Sequence, residues 1–248
     1  MSGFLNLKPA GDAGDPLAPV AAWDSGDLSA LASASWSDGV QSVGGYNATV
    51  DNSANCTSIG PDGVNGIKID PSVDAYQYNG VYTSPEVSWK VADLLGETPQ
   101  AGWLYVAQFV ISSASSEPVS LYDGMIMGLR EDDTTAYKAA GVHYISDRKS
   151  LFLGASSLGG SAAGWSSTLR TLNVFFLKGL MVGYQMSASV ETTPFFEDDG
   201  ATNTVYLTNP PTIDPTSANF ELYWGSYVFG ATTEEYILER ARLWAFGK

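Results

Sequence analysis

The densest groups capable of chemistry are two short acidic runs, Glu131-Asp132-Asp133 and Glu197-Asp198-Asp199. Hydrolysis of a glycosidic bond needs two carboxyl groups, about 5–5.5 Å apart for retention and about 6.5–9.5 Å for inversion. Neighbouring residues on a strand point to opposite faces, and both runs border turn residues, so each reads as a solvated turn. Glu235 and Glu239 flank the last apolar stretch, with no third acid in register. The single histidine, His143, sits between Val142 and Tyr144 and reads as a packed strand residue. No Gly-x-Ser-x-Gly turn presents a serine nucleophile. Cys56 and His143 alone cannot form a zinc site, and no Gly-x-x-x-x-Gly-Lys run cradles a phosphate. The expectation is a non-enzyme with no catalytic residue, no bound metal and no cofactor. Calcium is the one metal that oxygen ligands alone would suit. Asp123, Asp132, Asp133, Asp198 and Asp199 could serve it, but they are not spaced as an Asp-x-Asp-x-Asp-Gly loop.

Aromatic side chains offer a different chemistry, since they can stack on flat ligands. Trp36, Tyr46, Tyr76, Tyr78, Tyr82 and Trp165 fall in loop-like sequence. The stretch Tyr76-Gln-Tyr78-Asn-Gly-Val-Tyr82 is the most binding-like, because Tyr and Asn combine contact area with hydrogen bonding. Trp36, Tyr46, Tyr76, Tyr78 and Tyr82 are therefore the candidate ligand-binding residues, with a glycan as the candidate ligand. The competing reading makes each a local packing anchor.

The elements that must position these groups are constrained by composition. The chain has 248 residues, 44% hydrophobic and 16% charged, with a net charge of −15. Typical soluble domains carry about 25% charged residues. The aromatic and apolar content excludes a disordered chain. The acidic balance excludes nucleic acid as a partner, because phosphate contacts need Lys and Arg, and an anionic membrane surface repels it. No apolar run reaches the length of a membrane helix, and the N-terminus shows no signal-peptide pattern. With one cysteine, no intrachain disulfide forms, which points to a reducing cytoplasm. Asn-x-Thr triplets at Asn47 and Asn55 read as chance matches.

Turn signals crowd the region from Ala21 to Asn79, among them Ser37-Asp38-Gly39, Gly44-Gly45, Pro61-Asp62-Gly63 and Asn65-Gly66. Gly, Asn and Asp tolerate the positive φ that such turns need. Beyond Pro85 the apolar residues alternate: Val87, Trp89 and Val91 against Ser88 and Lys90, which is the period of a strand. Further strands are expected at Trp103–Ile111, Ser120–Arg130, Tyr137–Ile145, Leu151–Leu153, Val205–Leu207, Phe220–Val228 and Ile237–Phe246. Asn173–Val190 reads as one bent strand or two shorter ones around Gly179 and Gly183. In the last strand Tyr236, Leu238, Arg240, Arg242 and Trp244 alternate. Helix is expected only as one turn at Val91–Leu95. Many strands separated by turns, without alternating helices, imply an all-β sandwich. The expected layout is an extended N-terminal arm over residues 1–19 and a single sandwich domain over 20–248.

Two segments resemble the concanavalin A-like, laminin-G-like sandwich superfamily. The first is Val20-Ala-Ala-Trp-Asp24 with Trp36-Ser-Asp38, Tyr46-Asn-Ala-Thr49 and Asn65-Gly66-Ile67. The second is Leu222-Tyr-Trp-Gly225 with Ile237-Leu-Glu-Arg-Ala-Arg-Leu-Trp244. Arg240 departs from the pattern, where an acidic or short apolar residue is usual. The resemblance implies an antiparallel two-sheet jelly roll. Standalone copies without a secretion signal resemble bacteriophage virion proteins. The function this implies is a non-enzymatic virion structural protein, a head decoration or fibre component. It would dock on capsid or tail proteins at the virion surface after synthesis in the host cytoplasm, as a homo-oligomer joined through its arm. The alternative is a carbohydrate-binding module or adhesin, and a laminarinase-like glycoside hydrolase ranks last.

Overall fold

Among the described residues apolar side chains at alternate strand positions form faces to bury, and two stacked sheets bury them against each other. The computed structural model describes residues 18–71, 85–113, 124–133, 136–145, 150–154, 162–164, 172–182, 185–192, 203–206, 213–227 and 236–247. In chain order the strands are β1 (Ala21–Asp24), β2 (Gly39–Val43), β3 (Tyr46–Asp51), β4 (Cys56–Pro61), β5 (Ile67–Pro71) and β6 (Glu86–Lys90). A one-turn helix α1 (Val91–Leu95) precedes β7 (Leu104–Ser113), β8 (Gly124–Asp133), β9 (Ala136–Ile145), β10 (Ser150–Gly154) and β11 (Ala162–Gly164). Then come β12 (Leu172–Val182), β13 (Gln185–Thr192), β14 (Asn203–Tyr206), β15 (Phe220–Tyr227) and β16 (Tyr236–Phe246).

The strands form two antiparallel sheets. The first runs β14-β13-β12-β7-β16-β5-β4, with β1 also on β16, and the second runs β11-β10-β9-β8-β15-β6-β3-β2. The first and last strands of the fold lie side by side, with Ala21 opposite Ala245 and Asp24 opposite Arg242. The all-β jelly-roll architecture expected from the sequence is the observed one. Asn173–Val190 resolves into two strands, β12 and β13, paired as a hairpin. The Glu131-Asp132-Asp133 run, read as a turn, instead closes strand β8. The expected arm lies outside the described residues as far as residue 17. Where the chain enters the description, the Val20 N–H donates to the Ala245 carbonyl.

The core lies between the sheets. Trp89, Leu222, Trp224 and Phe220 of the second sheet meet Tyr105, Phe109, Ile111 and Leu238 of the first. Phe220 and Tyr105 cross the gap edge to face at 5.4 Å, and Trp23 of β1 lies 5.8 Å from Trp89. Each large side chain buried this way stabilises the fold by roughly 1.5–3 kcal/mol before entropy is counted. Tyr105 keeps its hydroxyl satisfied by donating to the Gln100 carbonyl and accepting from the Gln100 N–H. At one end α1 buries Val91, Leu94 and Leu95, and Gly96, at φ 68°, ends it.

At the side of the sandwich the chain passes from one sheet to the other. The N–H groups of Ala34 and Trp36 donate to the carbonyls of Pro61 and Ile59, and the chain then enters β2 on the second sheet. This approach requires Gly60. At φ 143° any Cβ there would collide with the Ala34 carbonyl oxygen.

Candidate functional site

Among the described residues each sheet carries a constellation of charged side chains on the side away from the core, and the strand period selects the members. On the second sheet, Phe220, Leu222 and Trp224 of β15 belong to the core, so Glu221 and Tyr223 face the other way. By the same rule Val87 and Trp89 of β6 turn Glu86, Ser88 and Lys90 outward, and Leu129 of β8 turns Arg130 outward. Register sets Glu221 between Arg130 and Lys90. The Arg130 guanidinium donates through Nε and Nη2 to Glu221 Oε2, at 3.1 and 2.9 Å. The same Nη2 lies 2.6 Å from Glu86 Oε1. Lys90 Nζ lies 2.6 Å from Glu221 Oε1. Arg130 also lies over the Tyr223 ring, 4.9 Å from its centroid.

These side chains point away from the core and are nevertheless buried, with Glu86 6%, Arg130 3% and Glu221 3% exposed. Burial pushes the Glu86 carboxyl above the ordinary carboxylate range. The Arg130 charge and hydrogen bond oppose that rise, while Asp51 and Glu221 add to it. Gly225, opposite Glu86, makes room for the cluster, since a Cβ there would come within 2.8 Å of both Glu86 Cβ and the Pro85 carbonyl oxygen. Two carboxylate oxygens within reach of one guanidinium nitrogen form a neutralised ion cluster, not an acid and nucleophile standing ready.

The constellation on the first sheet depends on an irregularity of β16. The pairing of β16 with β7 shifts register between Leu238 and Arg240. Such a bulge inserts one residue and reverses the facing of the residues beyond it. Tyr236 and Leu238 therefore point into the core, whereas Arg240, Arg242 and Trp244 point out and Ala241, Leu243 and Ala245 take over the inside. The simple alternation expected for this strand is corrected here: its five alternating residues do not share a face.

The re-aimed arginines converge on Asp24. Arg240 donates through Nε to Oδ1 at 2.8 Å and through Nη2 to Oδ2 at 2.6 Å, the bidentate geometry of strong guanidinium–carboxylate pairs. Arg242 donates through Nε to Asp24 Oδ2 at 2.9 Å and through Nη1 to Gln108 Oε1 at 2.8 Å. Partial burial alone would raise the Asp24 pKa. The hydrogen bonds from Arg240, the Gly26 N–H and Arg242 outweigh it and hold the carboxyl well below the usual range. Asp24 and Arg240 remain 41% and 37% exposed. Beside this row, Trp244 stands between Ala22 of β1 and Val106 of β7, half-buried.

The aromatic candidates are placed differently. Tyr46 opens β3 and packs edge to face on Trp23 at 5.9 Å. Trp36 packs against the core beside Gly60 on the first sheet. Each is partly buried, and they belong to different walls. Tyr76, Tyr78 and Tyr82 lie outside the described residues, as do Trp165, Asp123, Asp198 and Asp199. Cys56 is half-buried, and its thiol is pushed up to about 12 by desolvation together with Asp70 and Asp38, so it is no nucleophile at neutral pH. Among the described residues no group of three or more His, Cys, Asp or Glu is arranged to hold a metal. No helix among them is long and apolar enough to cross a membrane.

Sequence reasoning did not nominate Glu86, Arg130, Glu221 or Tyr223. The signal was present as charged residues at alternate positions of strands whose other face is apolar. It also passed over Asp24, Arg242 and Gln108 as a group, because their union depends on the bulge.

No protein-family model and no curated protein sequence matches the chain. Solved structures match in fold. Lectin II from Ulex europaeus is 10% identical with a TM-score of 0.46, over 92% of this chain and 99% of that one. Basic winged bean lectin, solved with Tn-antigen, is 9% identical with a TM-score of 0.48, over 81% and 93%. A GH43 glycoside hydrolase is 8% identical with a TM-score of 0.50, over 86% of this chain and 41% of that one. The chain is an antiparallel two-sheet jelly-roll sandwich. The expected virion role finds no support in these likenesses.

Proposed function

We propose that the protein is a non-catalytic carbohydrate-binding sandwich whose glycan contacts are made on the open face of the first sheet around Trp244. The observation that carries this reading is the half-buried indole set one strand position from a fixed polar row, Asp24–Arg242–Gln108. A sugar ring presents a C–H face to stack and hydroxyls to hydrogen-bond. The indole supplies flat area at low conformational cost. Arg240 Nη1 and Arg242 Nη2 are not used in the contacts that hold the cluster, and their side chains, 37% and 28% exposed, can donate to a ligand. The ion pairs with Asp24 pre-order the arginines, which lowers the entropy lost on binding. The locking of Glu86 and Glu221 onto Arg130 supports a role without hydrolysis.

A glycan array followed by titration of the best ligand tests the reading. Wild-type protein is expected to bind, Trp244→Ala to weaken binding at least about tenfold, and no reducing sugar to be released. Failure of the wild type to bind any glycan overturns the function. If Trp244→Ala binds normally while a Tyr76→Ala, Tyr78→Ala, Tyr82→Ala variant does not, the function stands and the site moves to that stretch.

A further inference from the structure

We propose that the outer edge of β2 is a docking site and that its occupant is this chain's own segment Phe4–Lys8. β2 is the terminal strand of the second sheet and pairs only with β3 among the described residues. Its sequence, Gly-Val-Gln-Ser-Val, contains no charge and no proline. Edge strands ordinarily carry such groups, because their unpaired N–H and C=O groups invite another strand. Gly39, Val40 and Ser42 are exposed, and Val40, at 65%, is among the most exposed large apolar side chains described. A neutral edge that is unpaired among the described residues and lies beside an exposed valine is the surface that strand addition uses: main-chain hydrogen bonds give affinity and alternate side chains give fit.

The occupant is chosen by the sequence ahead of β1. Phe4-Leu-Asn-Leu-Lys8 is the stretch of the first 17 residues that is apolar and free of both Gly and Pro, bounded by Gly3 and Pro9. It has five residues, as β2 has. Proline cannot donate to a ladder, so Pro9 sets the end of the pairing. Nine residues, 9–17, can span at most roughly 30 Å when extended. The described chain enters beside β16, and by Ser25 it already touches the β2–β3 turn, where a Cβ on Gly44 would lie 3.5 Å from the Ser25 carbonyl oxygen. Ala18, where residues 9–17 join the described chain, is seven residues from Ser25 and so at most roughly 25 Å from it, which leaves the β2–β3 end of the edge within reach. Apart from Lys8 the segment is uncharged, so docking desolvates almost no ionic group.

Amide hydrogen exchange tests the proposal. The full chain is compared with a chain beginning at Ala18, reading residues 39–43 against the central strand β7. The shortened chain is expected to exchange at least about tenfold faster at alternate amides of 39–43 and unchanged in β7. Addition of a synthetic peptide of residues 1–10 is expected to restore the protection. Equal exchange at 39–43 in both chains overturns the proposal, as does a peptide without effect. If β7 also loses protection, the comparison is read in the full-length Leu5→Asp, Leu7→Asp variant, where unaltered exchange at 39–43 overturns it.

Discussion

The two ion clusters use the same chemistry at opposite extremes of solvation. Arg130 is held by Glu86 and Glu221 in a site closed to water, whereas Asp24 is held by Arg240 and Arg242 on an open face. In the closed cluster desolvation dominates, and the Glu86 carboxyl rises. In the open cluster hydrogen bonding dominates, and the Asp24 carboxyl falls. The closed cluster therefore cannot lose a member cheaply and acts as a structural fastener across β6, β15 and β8. The open one can lose a member at small cost, which is what a surface that exchanges partners requires.

Arg130→Met takes the guanidinium from the buried Glu86 and leaves Glu221 with Lys90 alone, and is expected to lower unfolding free energy by about 3–5 kcal/mol. Replacing Glu86, Arg130 and Glu221 together by apolar residues of similar size is expected to recover most of that loss. Urea denaturation of the single and triple variants reads both. A single variant as stable as wild type would mean the cluster holds nothing together.

The two faces of β16 sharpen the contrast next. Leu243 is fully buried and Trp244 faces outward. Leu243→Ala is expected to cost about 2–5 kcal/mol. Trp244→Ala, on the half-exposed face, is expected to cost clearly less. Equal losses would return both residues to one environment and remove the bulge from the explanation.

The strands were legible in the sequence because alternation is local. Val87 and Trp89 against Ser88 and Lys90 announce a strand with one apolar face, and Leu243 beside Trp244 announces that one of them is core. Partnership was not legible. Arg130 meets Glu221 across 91 positions and Asp24 meets Arg240 across 216, and nothing in either neighbourhood names the other. The bulge was hidden for a related reason. Glu239 is an ordinary residue in an ordinary stretch, and only pairing with β7 shows that the register shifts there. Just past the shift Arg240 holds Asp24, which lies at the other end of the chain.

A smaller effect is expected at Glu86 when pH is varied. Its folded pKa is raised, so the folded state binds the proton more tightly than the unfolded chain does. That contribution favours folding fully below the unfolded value of about 4.3 and is lost as pH rises through the folded value. The stability of wild type relative to Glu86→Gln should therefore decline as pH is raised from about 4 towards neutrality. A difference that grew with pH would show that Arg130 outweighs burial.

Asp24 gives the smallest effect and the opposite sign. Its folded pKa is depressed, so its contribution is present above the unfolded value of about 3.9 and is lost as pH falls below it. Asp24→Asn is expected to cost no more than about 1 kcal/mol at neutral pH, because exposed ion pairs are screened by water and contribute little. Added salt should shrink even that, since the screening length falls from about 10 Å at 0.1 M to about 3 Å at 1 M. The gap between wild type and Asp24→Asn should close on acidification, whereas the Glu86 contribution strengthens there. Chemical denaturation across pH at low and high salt measures both trends on one scale. A salt-insensitive loss of several kcal/mol at Asp24 would mean that the open cluster is as closed as the other, and the face around Trp244 would lose its claim to be the exchangeable surface.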